Sequence, residues 1–271
     1  MADTGPLARI NMFWFGAPLS RIETLSIASF LANGHAVDLY VYEDIGPVPP
    51  GAALCEAATI LPRELLFRHR RTGSVAHFAD WFRYKVLHRA GGIWADTDVV
   101  CLRPLDYSDP VVFAWETDAY VNSAVLGLPA GHPLADWLAA TCATPNKILP
   151  YDSWRLRLRK LRRRYFQGDR RDRIRWGETG PKGLTHAARH FGLLDRALPS
   201  WHFYPVPAER WQELFAAPGV GAPLELGESR AVHLWNNMMH TVPEFDKNGR
   251  FDVRSPFERL WQRYLGNGAG R

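Results

Sequence analysis

The chain has 271 residues, and its composition of 46% apolar, 13% aromatic and 23% charged residues excludes an intrinsically disordered protein. No run of residues approaches the roughly 20 apolar positions of a membrane-spanning helix, and no repeat has a solenoid or propeller period. The residues before Ile10 lack the apolar core of a signal peptide, and the three cysteines lack metal-site or redox spacing. We therefore expect one enzyme-sized domain over residues 1–271, with free thiols and a cytoplasmic location.

Basic residues are concentrated in one part of the chain. The formal net charge is +5, and eleven of the 33 lysines and arginines lie between Arg155 and Arg175, where the acids are Asp169 and Asp172. Outside this segment the chain has 22 basic and 26 acidic residues, a net charge of −4. The basic character is therefore local and needs a local explanation.

The hydrophobic periodicity predicts an α/β fold. Its first elements are a strand at 10–15, a helix at 21–31 and a strand at 37–42, an order typical of a parallel sheet covered by helices. Further along, the pattern predicts a helix at 77–90 that ends at Gly91-Gly92, strands at 93–95, 111–115 and 124–128, and a helix at 134–142. Beyond Trp176 we expect turns and short elements.

Two carboxylates, Asp96 and Asp98, directly follow the predicted strand at 93–95. Side chains at i and i+2 of an extended segment project to the same side, so both carboxylates can reach one cation. Mg²⁺ and Mn²⁺ prefer carboxylate and phosphate oxygens, and the open coordination positions suit a diphosphate. An Asp-x-Asp pair occurs by chance about once per 260 positions. The ends of parallel strands, however, are where α/β sheets bind ligands, and this position favours a metal site.

The predicted helix before this strand has a polar face that carries Asp80, Arg83 and Tyr84. A guanidinium can bind two diphosphate oxygens at once, so Arg83 is a candidate donor ligand, although an arginine on an amphipathic helix is more often solvent-exposed. At the end of the first strand, Trp14 and Phe15 are placed either to stack on a nucleotide base or to pack in the core.

Residues 78–84, Gly91-Gly92-Ile93 and Asp96-Thr97-Asp98-Val99 together resemble the DXD sugar-binding region of glycosyltransferase family 32. The resemblance is specific because the helix, the glycine stop and the acidic pair occur in the same order. Weaker similarities lie at Phe15-Gly16, Asn122, Gly131-His132-Pro133, Thr179-Gly180-Pro181 and His233-Leu234-Trp235. One departure is Asn236-Asn237, where relatives often have a Ser-Trp pair that closes over the donor.

This resemblance implies a GT-A fold, a Rossmann-like nucleotide-diphospho-sugar transferase with a mainly parallel sheet flanked by helices. It implies Mn²⁺ or Mg²⁺ as cofactor and retaining transfer from a UDP- or GDP-sugar to a glycan, lipid-linked or other hydroxyl acceptor. Residues 1–145 or so would bind donor and metal, and residues 146–271 would supply the basic helix and the acceptor and closing region.

The same resemblance implies a set of site residues. The implied metal ligands are Asp96, Asp98 and His233; the implied catalytic residues are Asp96, Asp98 and Asn122; the implied donor-binding residues are Phe15, Gly16, Asp80, Arg83, Tyr84, Asp96, His233 and Trp235. A turn position for Asn122 and an ordinary strand-end position for His233 are the structural alternatives.

Two other functions fit parts of the sequence. Asp96-Thr97-Asp98-Val99-Val100 also matches the Asp-x-Asp-x-Val pattern of haloacid-dehalogenase-like phosphatases. Those enzymes also need a lysine and an acidic pair after an apolar strand, and the nearest match, Asp169 and Asp172, lies among arginines instead. A non-catalytic carbohydrate-binding protein is the second alternative.

The basic segment predicts an amphipathic helix, because Trp154, Leu158, Leu161 and Tyr165 recur at intervals of four, three and four. One interpretation is a helix packed by this apolar stripe onto the domain, with a solvated basic surface. Another is contact of residues 154–175 with an anionic partner, which is a membrane surface, a lipid diphosphate or an acidic glycan. No nucleic-acid-binding module accompanies the arginines, and we expect no nucleic-acid partner.

Overall fold

The computed structural model describes residues 6–16, 18–219 and 226–266. The chain forms a mixed α/β fold with a mostly parallel six-stranded sheet flanked by helices. The strands are β1 (Ile10–Phe13), β2 (Val37–Val41), β3 (Ala52–Glu56), β4 (Gly92–Ala95), β5 (Val99–Cys101), β6 (Val112–Trp115), β7 (Val121–Leu128) and β8 (Ala231–His233). The α-helices are α1 (Arg21–Ala32), α2 (Ala76–Ala90), α3 (Pro133–Ala143), α4 (Trp154–Phe166), α5 (Pro181–His190), α6 (Asn236–Met239) and α7 (Pro256–Leu265).

The strands form two sheets. The larger has the order β3-β2-β1-β4-β7-β6, and β5 and β8 form a second sheet of two strands. Strands β1 and β2 are parallel, whereas β6 with β7 and β5 with β8 are antiparallel. The predicted α/β class with a mainly parallel sheet, as expected for a GT-A fold, is confirmed. Within the described residues, no helix has the length and apolar character required to cross a membrane.

The predicted strands and helices before residue 143 are present. Strands β3, β5 and β8 were not predicted, and beyond Trp176 the ten-residue helices α5 and α7 stand where turns and short elements were expected. Two further differences concern candidate site residues. Strand β1 ends at Phe13, so Phe15 and Gly16 lie beyond the strand. Strand β7 begins at Val121, so Asn122 lies inside the strand and not before it. The prediction missed the start of β7 because Asn122 and Ser123 interrupt the apolar pattern, yet both side chains are buried.

The chain divides into two compact units. The first comprises Met1–Cys55, Ala95–Ser108 and Leu198–Arg271, and the second comprises Glu56–Trp94 and Asp109–Ala197. Both units combine segments that are distant in sequence. The predicted functional division near residue 145 stays a prediction.

In the first unit, helix α1 fixes the position of strand β5. Ser20 caps the helix and forms a capping box with Glu23. Ser26 then donates a hydrogen bond from its hydroxyl to the Val99 carbonyl at 2.6 Å, and Ser29 accepts one from the Cys101 N–H at 2.8 Å. Because all of these groups are buried, the bonds hold β5 at one position along the helix.

In the second unit, helix α2 ends abruptly at Gly91. This residue has φ 67° and ψ −157°, a conformation open essentially to glycine alone. A Cβ at position 91 would lie 2.6 Å from the Ala130 nitrogen, so the backbone that follows β7 packs directly on the glycine. Gly91 therefore permits both the sharp exit from α2 and the entry into β4.

Helix α4 corrects one expectation. The predicted helix is present, but its apolar stripe does not pack onto the protein, because Trp154, Leu158 and Tyr165 are exposed. The side chains that α4 buries are Lys160 and Arg163. Burial of two cations is possible here because each has a carboxylate partner, Asp152 for Lys160 and Glu178 for Arg163.

We expect Gly91→Ala to lower the free energy of unfolding by about 2–5 kcal/mol, since it adds a strained backbone conformation to a clash with Ala130. Gly131→Ala is the matched control: Gly131 also has a positive φ of 73°, but a Cβ there meets nothing within 4 Å. It should cost about 1–2 kcal/mol. Denaturant unfolding of the two variants measures the difference, and equal losses would show that Ala130 moves aside without cost.

Candidate active site

Asp96, Asp98 and His233 come together in the first unit. The antiparallel pairing of β5 and β8 sets Val99 opposite His233, and the Leu234 N–H donates to the Asp98 carbonyl at 2.8 Å. One ligand atom from each of Asp96, Asp98 and His233 lies within 4.8 Å of the other two. The strand register thus brings residues more than 130 positions apart in sequence into one cluster.

The Asp98 carboxylate is held from two directions. One oxygen, Oδ2, lies 3.1 Å from His233 Nε2 and accepts a hydrogen bond from the Asn236 N–H at 2.7 Å. Burial raises the pKa of Asp98, but the His233 ring, the Asn236 N–H and the charge of Lys247 lower it, and the net pKa lies below its ordinary value. Asp98 is therefore ionised at neutral pH and can act as a metal ligand.

Aromatic side chains surround His233. The Trp235 ring lies 4.2 Å from the His233 ring, and the Tyr204 ring lies 5.9 Å from it. Trp235 is in the left-handed conformation, with φ 61°, and its indole N–H donates to the Val206 carbonyl at 2.8 Å. A left-handed conformation costs a non-glycine residue about 1–3 kcal/mol, so the indole bond and the packing must stabilise the turn after β8.

The donor set of this cluster suits a divalent cation. Two carboxylates and an imidazole match the preference of Mn²⁺, and Mg²⁺ is served by the two carboxylates alone. Asp98 and His233 are buried and Asp96 is half-buried. His233 Nε2 and Asp98 Oδ2 lie 3.1 Å apart, so both atoms can reach one cation.

The segment after β1 carries the predicted base-binding residues. Trp14, Phe15 and Gly16 are half-exposed, and Gly16 has a φ of 120°. The Phe15 ring meets the Tyr42 ring edge-on at 6.5 Å, and the Lys247 ammonium lies 5.4 Å from the Trp14 ring. The partial exposure leaves ring surface open to solvent, and nucleotide binding by Phe15 and Gly16 stays a prediction.

In the second unit, Asp80 and Arg83 form a buried ion pair. Arg83 Nη1 donates to Asp80 Oδ1 at 2.9 Å and also bonds to the Ser123 hydroxyl. The Thr179 hydroxyl donates to the other Asp80 oxygen, Oδ2, at 2.8 Å. The Arg83 guanidinium stacks 5.1 Å from the Trp94 ring. The alternative of a solvent-exposed Arg83 does not hold, because only 4% of the residue is exposed.

Tyr84 and Asn122 are also anchored in the second unit. Tyr84 is fully buried, and its hydroxyl donates to the Thr179 carbonyl at 2.9 Å. Burial raises the pKa of Tyr84 well above its ordinary value, so this hydroxyl stays protonated. The Asn122 amide donates to Glu116 at 2.8 Å, and its oxygen accepts the Ala124 N–H at 2.8 Å. Donor binding by Tyr84 and catalysis by Asn122 stay predictions.

A cavity of about 150 Å³ opens in the second unit beside this cluster. Thr179, the partner of Asp80, lines it together with the aromatic side chains of Tyr151 and Trp176. Its charged lining residues are the cations Arg159, Lys160, Arg175 and Lys182 and the carboxylates Asp152 and Glu178. Four cations against two carboxylates give the lining an excess of positive charge.

Four residues of these clusters had no role assigned from the sequence: Ser123, Thr179, Asn236 and Lys247. Thr179 lies in the Thr-Gly-Pro run that resembles family 32, and this resemblance could have marked Thr179 as a site residue. Asn236 acts through its backbone N–H, which any residue but proline supplies. Ser123 and Lys247 carry no motif, so their partners became visible only in the folded chain.

Comparison with known proteins identifies two family models that match separate parts of the chain. The model described as "Glycosyltransferase sugar-binding region containing DXD motif" matches residues 63–115, which include Asp80, Arg83, Asp96 and Asp98. The model described as "Alpha 1,4-glycosyltransferase conserved region" matches residues 158–250, which include His233. A solved structure titled "PaToxG Glycosyltransferase" is similar at 13% identity over 68% of each chain, with a TM-score of 0.44.

Both family models describe glycosyltransferases, and the DXD model covers the acidic pair that the structure joins to His233. These matches favour a glycosyltransferase over a haloacid-dehalogenase-like phosphatase or a non-catalytic carbohydrate-binding protein. The chain is a glycosyltransferase enzyme that resembles glycosyltransferase family 32, and its residues 63–115 match a DXD-containing sugar-binding region.

Proposed function

We propose that the enzyme transfers a sugar from a UDP- or GDP-sugar to a hydroxyl group of a glycan or lipid-linked acceptor, with Mn²⁺ or Mg²⁺ as cofactor. The observation that carries this proposal is the cluster of Asp96, Asp98 and His233, whose ligand atoms lie within 4.8 Å of one another. A nucleotide-sugar donor and a glycoconjugate acceptor are general to the matched families. The reaction would serve the synthesis of a polysaccharide or glycolipid, in the cytoplasm.

The metal ligands are Asp96, Asp98 and His233. A divalent cation bound by them would neutralise the charge of the leaving nucleoside diphosphate. Asp98 holds its charge because His233, the Asn236 N–H and Lys247 stabilise the ionised carboxylate. The Trp235 and Tyr204 rings pack on His233 and restrict its rotation. These residues therefore hold the ligand set in place before donor binding, which is the condition for electrostatic stabilisation of a transition state.

We assign Asp80 and Arg83 to donor recognition, as the resemblance to family 32 implies. Arg83 is kept charged and oriented by Asp80, Ser123 and Trp94. Thr179 orients Asp80 in turn. A guanidinium fixed in this way loses little conformational freedom when it meets an oxygen ligand.

We propose retention at the anomeric carbon. One matched family model is named for α-1,4 transfer. If the donor is α-linked, as the α-anomers of UDP-sugars are, an α-linked product requires net retention. The leaving diphosphate would accept the proton of the acceptor hydroxyl, so no protein nucleophile is needed. The cationic lining of the 150 Å³ cavity suits an acceptor that carries an anionic group.

The proposal is tested by a screen of UDP- and GDP-sugars for hydrolysis and transfer with Mn²⁺, with Mg²⁺ and with a chelator. One donor should raise the melting temperature in the presence of the cation, because a ligand that binds only the folded state stabilises it. Product analysis by NMR would give the anomeric configuration. A complete absence of turnover and stabilisation across common donors would contradict the proposal.

Asp98→Asn should lower turnover by about 100-fold or more and weaken Mn²⁺ binding by about 10–100-fold, because a ligand charge is lost. The fold should be retained, since the Asn oxygen can still accept the Asn236 N–H. Turnover, calorimetric titration with Mn²⁺ and the melting temperature measure these effects. Asp252→Asn is the control, as Asp252 is an exposed carboxylate of the same unit. Near-normal Mn²⁺ affinity in a folded Asp98→Asn enzyme would remove Asp98 from the metal site.

Arg83→Lys should weaken donor binding by about 10–100-fold, the range expected for loss of a hydrogen bond to a charged group. Lysine keeps the charge but cannot reproduce the planar guanidinium that contacts Asp80, Ser123 and Trp94. Ser123→Ala is the matched control, because it removes one partner of Arg83 and leaves the guanidinium in place. Fluorescence titration with the donor, beside thermal unfolding, separates the two roles. A lower melting temperature with unchanged donor affinity would assign Arg83 to folding alone.

A further inference from the structure

Helix α4 is attached to the second unit by its charged side. Lys160 and Arg163 are 2% and 4% exposed, respectively. The Lys160 ammonium lies 2.8 Å from Asp152 Oδ2, and the Arg163 guanidinium lies 2.6 Å from Glu178 Oε1. The inward side of the helix is therefore held by two ion pairs shielded from solvent.

The apolar stripe of α4 consequently points outward. Trp154, Leu158 and Tyr165 are 66%, 58% and 69% exposed, and Phe166 at the end of the helix is 84% exposed. Positions 154, 158 and 165 lie on one face at 3.6 residues per turn, and the half-buried Leu161 joins them. Soluble proteins seldom leave large aromatic side chains contiguous and exposed unless the patch binds something.

Four exposed arginines border this stripe. The helical period sets Arg155 and Arg162 on one side, and Arg157 and Arg164 on the other. Within residues 6–16, 18–219 and 226–266, none of the four forms an ion pair, although Arg157 donates to the backbone carbonyls of Asp152 and Pro150 at 3.0 and 3.4 Å. Arg155 lies 5.2 Å from the Trp154 ring, and Arg164 lies 5.8 Å from the Tyr165 ring. We call the stripe and its four arginines the outer face of α4.

We propose that the outer face of α4 docks on an anionic membrane surface. Trp and Tyr rings favour the boundary between lipid headgroups and acyl chains, and arginines beside them reach the lipid phosphates. A helix that lies in this plane needs an apolar face flanked by cations, which α4 presents over a length of about 20 Å. Outside residues 155–175 the chain carries a net charge of −4, so the attraction to anionic lipid is confined to this basic segment, which includes α4.

Charge argues against a second copy of the chain as the occupant. A two-fold contact through this face would bring the same arginines of both copies together, with no carboxylate on the face to balance them. A soluble acidic polymer can pair with the arginines, but it offers no apolar phase to the exposed Leu158 and Phe166. The combination of rings and cations therefore favours a lipid surface.

The proposal that α4 docks on a membrane is independent of the proposed donor and metal. Its residues are separate from Asp96, Asp98 and His233, and vesicle binding is measured without nucleotide sugar. Docking would, however, bring the enzyme to a lipid-linked acceptor, and Arg159 and Lys160 of the same helix line the cationic cavity.

The experiment is flotation of the full chain with vesicles of phosphatidylcholine alone or with 30% phosphatidylserine, at low and at physiological salt. We expect binding to the anionic vesicles only, weakened by salt. Arg162→Gln/Arg164→Gln should lower the partition coefficient on the order of 10–30-fold. Trp154→Ala/Tyr165→Ala, which keeps every charge, should lower it at least tenfold. Both variants leave Lys160 and Arg163 intact, so circular dichroism and melting should match the wild type.

Arg189→Gln/Arg259→Gln is the matched control, because it removes two exposed arginines outside α4. It should bind like the wild type. Failure of the wild type to float with anionic vesicles at low salt would overturn the proposal, as would equal losses in this control and in the α4 variants. Binding to soluble heparin that depends on Arg162 and Arg164, together with vesicle binding that is unaffected by Trp154→Ala/Tyr165→Ala, would replace the membrane by a soluble acidic partner.

Discussion

The cluster of Asp96, Asp98 and His233 depends on the hydrogen-bonded pairing of β5 with β8. This pairing consists of three residue pairs. The pair Val99–His233 sets His233 opposite the residue that follows Asp98. Asp96 and Asp98 belong to a tight turn, in which the Val99 N–H donates to the Asp96 carbonyl at 3.0 Å, and not to the extended segment that the sequence predicted. His233 reaches them only through this short sheet. Helix α1 also holds β5, since the side chains of Ser26 and Ser29 form hydrogen bonds with the backbone of β5.

Asp98 and Asp80 are both buried carboxylates, but the groups that stabilise them differ. Asp98 is kept ionised by an imidazole, a backbone N–H and a more distant ammonium, which leaves its carboxylate able to serve a cation. Asp80 is engaged at both oxygens, by Arg83 and Thr179, and a Cβ at Gly180 would lie only 3.2 Å from them. Its carboxylate is thus a positioning group for Arg83 as the site stands. Each carboxylate oxygen of Asp80 accepts one of these bonds and has a second lone pair, so a sugar hydroxyl can donate to Asp80 beside them.

Local signals made much of the fold predictable. The Gly91-Gly92 stop, the apolar strand and the acidic pair lie within a few residues of one another, so periodicity and turn chemistry sufficed to predict α2, β4 and the position of the acidic pair after β4. The orientation of α4 was not predictable in this way. Its apolar stripe is the stronger pattern, and the reason that the stripe faces outward lies in Asp152 and Glu178, whose pairing with Lys160 and Arg163 depends on the folded chain. The burial of Asn122 and Ser123 in β7 was missed for a different reason, because a polar residue in a buried strand interrupts the apolar pattern that predicts the strand.

The attachment of α4 by ion pairs gives this helix a pH-dependent contact with the second unit. Burial raises the pKa of Glu178, but the hydrogen bond and charge of Arg163 lower it, and the net pKa lies below its ordinary value. The stabilisation is therefore complete above the ordinary carboxyl pKa and is lost as the pH falls through the lowered value. Below that pH a buried arginine would remain without its counter-ion. A helix held by apolar packing would be indifferent to such a change, whereas the attachment of α4 weakens as Glu178 is protonated.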